Sequence, residues 1–255
     1  MLNRLLRRKK ASRPIDSAMI PEGRRVYAIG DIHGRNDLLR QLLDKIIKDD
    51  GDRGKAESEI IFLGDLVDRG PDSAGVLDTA MQLKADLGTV RFLMGNHEEC
   101  YLAATTGDEK SVRFFNRIGG RETILSYEIS MKEYIELDMA QLAQRIPELF
   151  PQKHIDFVAG FEDQIIIGDY AFVHAGIRPG VPLSEQRQKD LRWIREEFLS
   201  TQEAFEKVIV YGHTISDDVV ETGTRIGIDT GAYHSDKLTA LDLQGSERWY
   251  LDTAT

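Results

Sequence analysis

Short apolar runs alternate with longer segments of helical spacing over roughly the first hundred residues. The runs RRVYAIG (24–30), ESEIIFLGD (57–65) and TVRFLMGN (89–96) predict strands, because each is short, apolar and bounded by glycine or polar residues. Leucines and isoleucines at helical spacing predict a helix over 36–50, and Pro71 and Asp72 mark the start of a second helix over 72–86. Strand, helix, strand, helix, strand is the pattern of βαβ units with a parallel sheet.

The pattern changes after the third strand. Residues 97–160 favour helices, and QIIIGDYAFVHAG (164–176) predicts a hairpin that turns at Gly168 and Asp169. Four further strands are predicted, and the last three of them are expected to be antiparallel neighbours because they follow one another closely. The four segments are 207–214, 224–231, 237–244 and 248–252. We find no repeat, linker or low-complexity segment, so a single domain over 24–255 is the simplest division.

Composition excludes several classes of protein. The 255 residues are 41% hydrophobic and 30% charged, which is ordinary for a globular protein with a sizeable core. No apolar stretch approaches the ~20 residues of a membrane span. Cys100 is the only cysteine, so no internal disulfide can form and nothing indicates an oxidising compartment. A cytoplasmic location is therefore expected.

Charge is distributed unevenly. The net charge is −10, but residues 1–25 carry +6 and the remainder −16. MLNRLLRRKKASR lacks the apolar core of a secretory signal, so we expect residues 1–23 to form a disordered, solvated tail. The alternative is a weak contact of this tail with anionic lipid or another partner, aided by Leu2, Leu5 and Leu6. The acidic remainder argues against nucleic-acid binding, and gathered carboxylates usually need compensating cations.

Five predicted strands end in turns of small residues that carry Asp, Asn or His. Because ligands of open α/β sheets bind beyond the carboxyl ends of strands, these five ends could converge on one cleft. Carboxylate, imidazole and amide ligands suit Mn, Fe or Zn, whereas the lack of thiolates argues against a structural zinc site. A single histidine of this kind is more often a buried core residue, but the whole set favours a metal site. The candidates are Asp31, His33, Asp65, Asn96, His97, His174 and His213.

The motifs GDIHGR, GDLVDRGPDS, GNHE, VHAG and GHT occur in the order found in the PPP-type serine/threonine phosphatases. The chain therefore resembles this group within the calcineurin-like metallophosphoesterases, over about residues 26–243. WIREEF (193–198) and the late IDTGA followed by LTALDL are most similar to the bacterial and bacteriophage lambda-type branch. The resemblance implies an α/β fold, a four-layer sandwich of two mixed β-sheets flanked by helices, with the site in the loops along one edge.

The resemblance also implies two divalent metal ions, with Mn expected first and Fe or Zn as alternatives. Asp31 and His33 would bind one ion, and Asp65 would bridge the pair. The second ion would be held by Asn96, His174 and His213. A hydroxide between the ions would attack phosphorus directly, without a phosphoenzyme.

In the same family pattern His97 matches the general acid, and Asp68 the carboxylate that orients its ring. Arg69 and Arg195 match the two arginines that hold the phosphate, since a guanidinium fork suits a tetrahedral oxyanion. For Arg195 the alternative is a surface ion pair with a nearby glutamate. Glu98 and Cys100 are expected to be structural, and His154 and His234 are expected at the surface. Asp229 is expected behind a ligand, and Arg35 is expected to be an extra cation beside the cleft.

Three functions follow from these expectations. The first is a phosphomonoester hydrolase acting on phosphoserine or phosphothreonine in proteins, or on small phosphorylated molecules. The alternative is a symmetrical bis(5'-nucleosyl)-tetraphosphatase, which would use the same metal core. The motif GNHEE in place of GNHD slightly disfavours this alternative. A non-catalytic phosphate-binding protein of the same fold is disfavoured because no ligand or acid of the pattern is missing.

Overall fold

The first sheet begins with the expected βαβαβ unit. The structure, a computed structural model, describes residues 15–254. Strands β1, β2 and β3 pair in parallel, and Asp72 caps α2 by accepting the Gly75 N–H at 2.9 Å. The elements are β1 (Arg24–Ile29), α1 (Asn36–Asp52), β2 (Glu57–Phe62), α2 (Ser73–Leu87) and β3 (Val90–Phe92). The strand–helix alternation predicted from the apolar runs is therefore confirmed.

A helical segment follows β3, as the sequence predicted. It carries a short π-helical turn at Asn116–Gly120, between α4 and α5. The helices are α3 (Asn96–Ala104), α4 (Glu109–Phe115), α5 (Arg121–Leu125), α6 (Met131–Glu136), α7 (Met139–Leu149) and α8 (Gln152–Ala159). Helix α3 starts directly at Asn96, so a helix N-terminus stands at the end of the third strand.

The rest of the chain builds a second sheet and completes the first. The second sheet has the order β4-β5-β6-β8-β7, and the first has the order β10-β9-β1-β2-β3. The hairpin predicted over 164–176 is formed by β4 and β5, which are antiparallel. The remaining elements are β4 (Gln164–Ile167), β5 (Tyr170–Val173), α9 (Gln188–Trp193), α10 (Glu196–Leu199), β6 (Val208–Tyr211), β7 (Val220–Thr222), β8 (Arg225–Gly227), α11 (Ala232–Ser235), β9 (Thr239–Gln244) and β10 (Glu247–Asp252).

The last three predicted strands do not form one antiparallel unit. Strands β9 and β10 are antiparallel neighbours in the first sheet, but β8 lies in the second sheet beside β6 and β7. The expectation is therefore wrong for β8. Ile226 of β8 is fully buried in the core between the sheets, and the chain crosses from one sheet to the other after it. Closeness in sequence does not show that crossing.

Alternating side chains of each strand face different layers. In β1, Tyr27 and Ile29 pack against the helices, whereas Val26 and Ala28 pack between the two sheets. The outer face of the second sheet is covered by α9 and α10, which place Leu191 and Phe198 in a third core cluster. The predicted four-layer sandwich of two mixed sheets flanked by helices is confirmed.

Part of the predicted tail packs against the domain. Ile15, Ala18 and Ile20 are buried between the sheets, and the Ile20 N–H donates to the Gly245 carbonyl at 3.0 Å. The packed region thus begins at residue 15, ahead of the domain predicted over 24–255. Residues 1–14, which hold the basic run, lie outside the described residues. Within 15–254, none of the helices is both long and apolar enough to cross a membrane.

Asp242 of β9 makes the stability of the fold depend on pH. Its side chain is fully buried, and neither carboxylate oxygen has a hydrogen-bond partner. Burial and the nearby Asp49 carboxylate raise its pKa to about 9. The folded protein therefore holds a proton that the unfolded chain releases above about pH 4, and stability falls as pH rises from there through 9.

We expect Asp242→Asn to remove this dependence. At pH 8 the variant should be more stable than the parent by about 5 kcal/mol, or roughly 10 °C or more in Tm, and the difference should shrink toward pH 4. Thermal unfolding from pH 4 to 9 measures it, with the exposed Asp44→Asn as the control that should match the parent. Parallel pH profiles for the parent and Asp242→Asn would contradict the assignment.

Candidate two-metal active site

The turns after β1, β2, β3, β5 and β6 converge at one place, as the strand-end pattern predicted. The Asp65 carbonyl accepts the N–H of His33 at 2.9 Å, which joins the first two turns. The Gly212 N–H donates to the His174 carbonyl at 2.8 Å, which joins the last two. All six predicted ligands are buried, and they are Asp31, His33, Asp65, Asn96, His174 and His213.

Asp65 lies at the centre of these residues. Its Oδ2 is 3.5 Å from His33 Nε2, and its Oδ1 is 3.3 Å from His174 Nε2. The two oxygens of one carboxylate therefore face histidines from opposite halves of the site. His174 Nε2 also lies 3.0 Å from Asn96 Oδ1, and the His213 N–H donates to Asp31 Oδ2 at 2.9 Å. This is the arrangement in which one carboxylate could serve two cations.

The backbone of the site is unusual. Left-handed backbone at a non-glycine residue costs energy and is concentrated at functional positions. Among the described residues only Asp236 shows it outside the site. The others, with φ from 47° to 75°, are His33, Asp65, Asp68, Arg69 and His213.

Two glycines let the strand-end turns approach the carboxylates. A Cβ at Gly95 would lie 2.2 Å from Asp65 Oδ1, and one at Gly212 would lie 2.0 Å from Asp31 Oδ1. Neither distance is possible for a real side chain, so the site depends on glycine at both positions.

Glu98 holds the turn after β2 in place. Its buried carboxylate accepts the N–H groups of Asp65 and Leu66 at 2.7 Å and that of Gly95 at 3.0 Å. Burial and the neighbouring Asp65 carboxylate raise its pKa to about 7. Glu98 thus fixes Asp65 from behind and agrees with the structural role expected for it.

The four histidines of the site fall into two electrostatic classes. Burial lowers the pKa of His33 and of His174, and it lowers that of His213 to about 2. These rings are neutral at physiological pH, so each has one nitrogen lone pair that can accept a hydrogen bond or bind a metal. Burial would also lower the pKa of His97, but the carboxylates of Asp65 and Asp68 outweigh burial, and the pKa of His97 is raised.

Hydrogen bonds fix which nitrogen faces the centre. His33 Nδ1 donates to the Val67 carbonyl and His174 Nδ1 donates to the Leu63 carbonyl, both at 2.8 Å. Since a carbonyl only accepts, the Nε2 atom of each ring is left as the ligating atom.

The residues present fit divalent metal ions. Asp31 Oδ1 and His33 Nε2 are buried without a hydrogen-bond partner. Burial, followed by the neighbouring Asp229 and Asp65 carboxylates, raises the pKa of Asp31 well above its ordinary value. A bound cation would compensate these buried carboxylates. Two groups of possible ligand atoms share Asp65, one with His33 and His97 and the other with His174 and His213; within each group the atoms lie within 4.8 Å of one another.

His97 differs from the other histidines because Asp68 occupies its Nδ1 at 2.6 Å. Burial raises the pKa of Asp68, although the hydrogen bonds from His97 and Thr123 act to lower it. Thr123 Oγ1 donates to Asp68 Oδ1 at 2.6 Å and accepts the Asp68 N–H at 2.8 Å. Thr123 was not identified from the sequence, because it lies in α5 with no local motif.

Both predicted phosphate-binding arginines point into the site. Arg69 Nη2 donates to His97 Nε2 at 3.0 Å, and Arg195 Nε donates to His213 Nε2 at 2.9 Å. The ion pair with a neighbouring glutamate, considered for Arg195, is replaced by this contact. Tyr233, also not identified from the sequence, lies with its ring 4.9 Å from the Arg69 guanidinium and 5.5 Å from the His33 ring.

Other expectations are partly corrected. Cys100 packs in the core, and burial raises the pKa of its thiol to about 12. His234 is exposed as expected, but the surface position predicted for His154 is wrong. His154 is 1% exposed, because its ring is enclosed between the Tyr127 hydroxyl at 2.9 Å and Asp78 at 3.0 Å.

Two polar neighbours of the site also differ in detail from expectation. Asp229 interacts with Asp31, and its own carboxylate accepts the Gly231 N–H at 2.9 Å, so it lies behind a carboxylate ligand. Arg35 pairs with Asp37 at 2.7 Å and Asp236 at 2.5 Å. These carboxylates compensate the cation that the sequence placed beside the cleft.

One known protein resembles this chain over most of its length, and another resembles it over about a third. The asymmetrical bis(5'-nucleosyl)-tetraphosphatase PrpE of Bacillus velezensis is 26% identical over 231 residues, covering 84% of this chain and 86% of that protein. A symmetrical bis(5'-nucleosyl)-tetraphosphatase of Delftia acidovorans is 40% identical over 88 residues, or 34% of this chain and 28% of that protein.

Solved structures support the fold. A putative diadenosine tetraphosphatase superposes with a TM-score of 0.61 at 22% identity, covering 92% of this chain and 98% of that one. A cold-active protein tyrosine phosphatase superposes with a TM-score of 0.59 at 20% identity, covering 93% of this chain and 82% of that one. The family model for calcineurin-like phosphoesterases matches residues 24–244. With its shared carboxylate and paired histidine groups, this chain belongs to the calcineurin-like phosphoesterases, a family of hydrolases that use divalent metals.

Proposed function

We propose that this protein hydrolyses dinucleoside tetraphosphates. The observation that carries the proposal is the similarity along most of the chain to proteins named as bis(5'-nucleosyl)-tetraphosphatases. PrpE proteins of Bacillus velezensis and Oceanobacillus iheyensis are 26% and 28% identical over 84% and 85% of the chain. These relatives favour a dinucleoside tetraphosphate hydrolase, the class of the alternative from the sequence, over the protein phosphatase placed first, but they are named as asymmetrical enzymes and that alternative was the symmetrical one.

The cleavage we propose is asymmetrical. Relatives named as asymmetrical enzymes align over most of this chain, whereas the symmetrical relative of Delftia acidovorans aligns over 34% of it. Asymmetrical cleavage releases a nucleoside triphosphate and a monophosphate, and symmetrical cleavage releases two diphosphates.

The residues proposed to hold the two divalent ions divide as the family resemblance implies. Asp31 and His33 form one half, and Asp65 serves both. The other half is Asn96, His174 and His213. Metals bound there would activate a water molecule and offset negative charge on the phosphoryl oxygens. Manganese stays the first expectation, since oxygen and imidazole ligands without thiolate also suit it.

Arg69 and Arg195 are proposed to bind the phosphate chain. Each now donates to a histidine lone pair, and a phosphate oxygen is a stronger acceptor for a guanidinium N–H. A tetraphosphate that enters between them would take over both donors. The two arginines would then orient one phosphorus against the metal-binding carboxylates.

His97 is proposed to protonate the leaving oxygen. Its Nδ1 proton is held by Asp68, so Nε2 is the atom that exchanges a proton. Arg69 occupies Nε2 until it turns to the phosphate, after which Nε2 can carry a proton. The Asp65 and Asp68 carboxylates favour that protonated form.

The test uses chelator-stripped protein resupplied separately with Mn, Zn, Fe or Mg. We expect kcat/KM for diadenosine tetraphosphate to exceed that for a phosphoserine peptide by ~10²-fold or more, because the phosphopeptide has neither a nucleoside nor a phosphoanhydride. Product analysis should give AMP and ATP. A higher kcat/KM for the phosphopeptide would overturn the proposal in favour of a protein phosphatase, and two molecules of ADP would make the cleavage symmetrical.

A further inference from the structure

An aromatic pair with an adjacent guanidinium lies at the surface near the candidate active site. The ring centroids of Phe114 and Trp193 are 6.3 Å apart, with the planes tilted by 44°. The Arg117 guanidinium carbon is 5.0 Å from the centre of the Phe114 ring. Phe114 is 36% exposed, Trp193 is half-buried, and Arg117 is exposed. We call these three residues the aromatic flank.

The fold does not need Phe114 for its core. The adjacent Phe115 is fully buried and belongs to the main core cluster, whereas Phe114 is directed outward from the same helix. Phe114 and Arg117 are three residues apart, the spacing at which side chains on a helix become neighbours. An exposed phenyl ring with a guanidinium beside it and an indole nearby is therefore a surface feature that packing alone does not explain.

Trp193 connects the aromatic flank to one side of the site. Its indole N–H donates to Glu99 Oε2 at 3.3 Å, and Arg192 donates to the same oxygen at 3.1 Å. Glu99 belongs to the first turn of α3, the helix that begins with Asn96 and His97. Trp193 is also two residues before Arg195 in the chain, so it lies beside a phosphate-binding arginine.

The other side of the aromatic flank leads to Arg69. Helix α4, which carries Phe114, runs directly into the π-helical turn, and the Gly119 carbonyl of that turn accepts the Arg69 N–H at 3.0 Å. Gly119 has φ 122°, and a Cβ there would lie 2.7 Å from Arg69 Cγ. The turn is thus packed closely against Arg69, and the aromatic flank is tied to both arginines.

Aromatic faces and guanidinium planes are the surfaces on which nucleobases stack. We propose that the aromatic flank binds a nucleobase of the substrate while Arg69 and Arg195 hold its phosphates. This inference rests on the proposed function, because the aromatic flank would be the part of the protein that distinguishes a nucleotide from a simple phosphate. Inorganic polyphosphate has the same anhydrides and no base, so it would not use the aromatic flank.

Binding can be measured through Trp193 itself. The chain has two tryptophans, and Trp249→Phe leaves Trp193 as the single tryptophan, whose fluorescence can be excited selectively over that of tyrosine. In the metal-loaded Trp249→Phe protein, AMP and ATP should quench the Trp193 fluorescence, and inorganic tripolyphosphate should not. Adding Phe114→Ala should weaken nucleotide binding roughly 5- to 150-fold, the range that follows from about 1–3 kcal/mol per stacked base.

Kinetics supply a second readout. Phe114→Ala should raise KM for diadenosine tetraphosphate by a similar factor and leave kcat/KM for tripolyphosphate within about twofold of the parent. Phe114→Trp should restore the lost affinity, because it returns an aromatic face. The matched control is Trp249→Leu, which removes another arginine–aromatic pair, formed with Arg53 at 3.5 Å on the edge strand β10. This control should leave both substrates unaffected.

The outcomes separate this inference from the proposed function. Nucleotide quenching that Phe114→Ala weakens, with no hydrolysis of diadenosine tetraphosphate, would retain the base site and overturn the proposed function. Hydrolysis with an unaltered KM in Phe114→Ala would overturn the base site and retain the proposed function. Equal losses on diadenosine tetraphosphate and tripolyphosphate would also overturn it, because they would show general damage to the site.

Discussion

Asp65→Asn is expected to lower kcat/KM by roughly 10³-fold or more, since metal ions contribute several kcal/mol to such reactions. The substitution keeps the size of the side chain, and asparagine tolerates the left-handed backbone found here at φ 52°. It removes the one carboxylate whose two oxygens face both halves of the site. Metal content per chain, measured after equilibration with manganese, should fall together with activity.

The charge of Asp65 explains why the expected loss is so large. Burial alone would raise its pKa. At the low pH where Asp65 would take up a proton, however, the surrounding histidines become cationic, and they hold its pKa well below the ordinary value, with His174 having the largest effect. It therefore remains an anion at the centre of the site. In the parent, the backbone N–H of His97 donates to Asp65 Oδ1 at 3.1 Å. Asparagine keeps an oxygen that can accept this hydrogen bond, but it supplies no negative charge.

Asp236→Asn is the matched control for this experiment. Asp236 is also an aspartate in left-handed backbone, with φ 59°, and its side chain is 77% exposed outside the ligand set. It should keep parental activity and metal content. Two metal ions per chain and activity within tenfold of the parent in Asp65→Asn would contradict the bridging role of Asp65.

The sequence could predict that the candidate ligands lie together, because each stands at a strand end within a short local motif. Asp31 and His33 follow β1 directly, and His213 follows β6 directly. Parallel strands bring such ends to one edge whatever lies between them. The position of the candidate site could therefore be predicted from the sequence alone.

The contacts that support the ligands could not be predicted in the same way. Thr123 reaches Asp68 across 55 positions, and Trp193 reaches Glu99 across 94. Both depend on how the helical segment folds back over the sheet, which periodicity does not specify. The placement of β8 failed for a related reason, because the chain changes sheets through a turn that resembles any other.

His97→Ala should show how much of the reaction depends on proton donation. Removing a well-placed general acid costs ~10²–10⁴-fold when the leaving oxygen is strongly basic. Phenyl phosphate releases a phenolate of pKa about 10, as in tyrosine. Cleavage of a tetraphosphate releases a phosphate group with a pKa of about 6, which needs far less help. The loss of kcat/KM in His97→Ala should therefore be much larger for phenyl phosphate.

Comparing these two leaving groups within one variant isolates the acid from any structural effect. If His97 served mainly as a metal ligand, as its 3.9 Å distance from Asp65 permits, its loss would slow both substrates equally. If it acts through Nε2 with Asp68 behind it, Asp68→Asn should reproduce the same dependence on the leaving group with a smaller loss. The exposed His234→Ala serves as the control and should slow neither substrate. Equal losses in His97→Ala on phenyl phosphate and diadenosine tetraphosphate would remove His97 from proton transfer and leave it as a ligand.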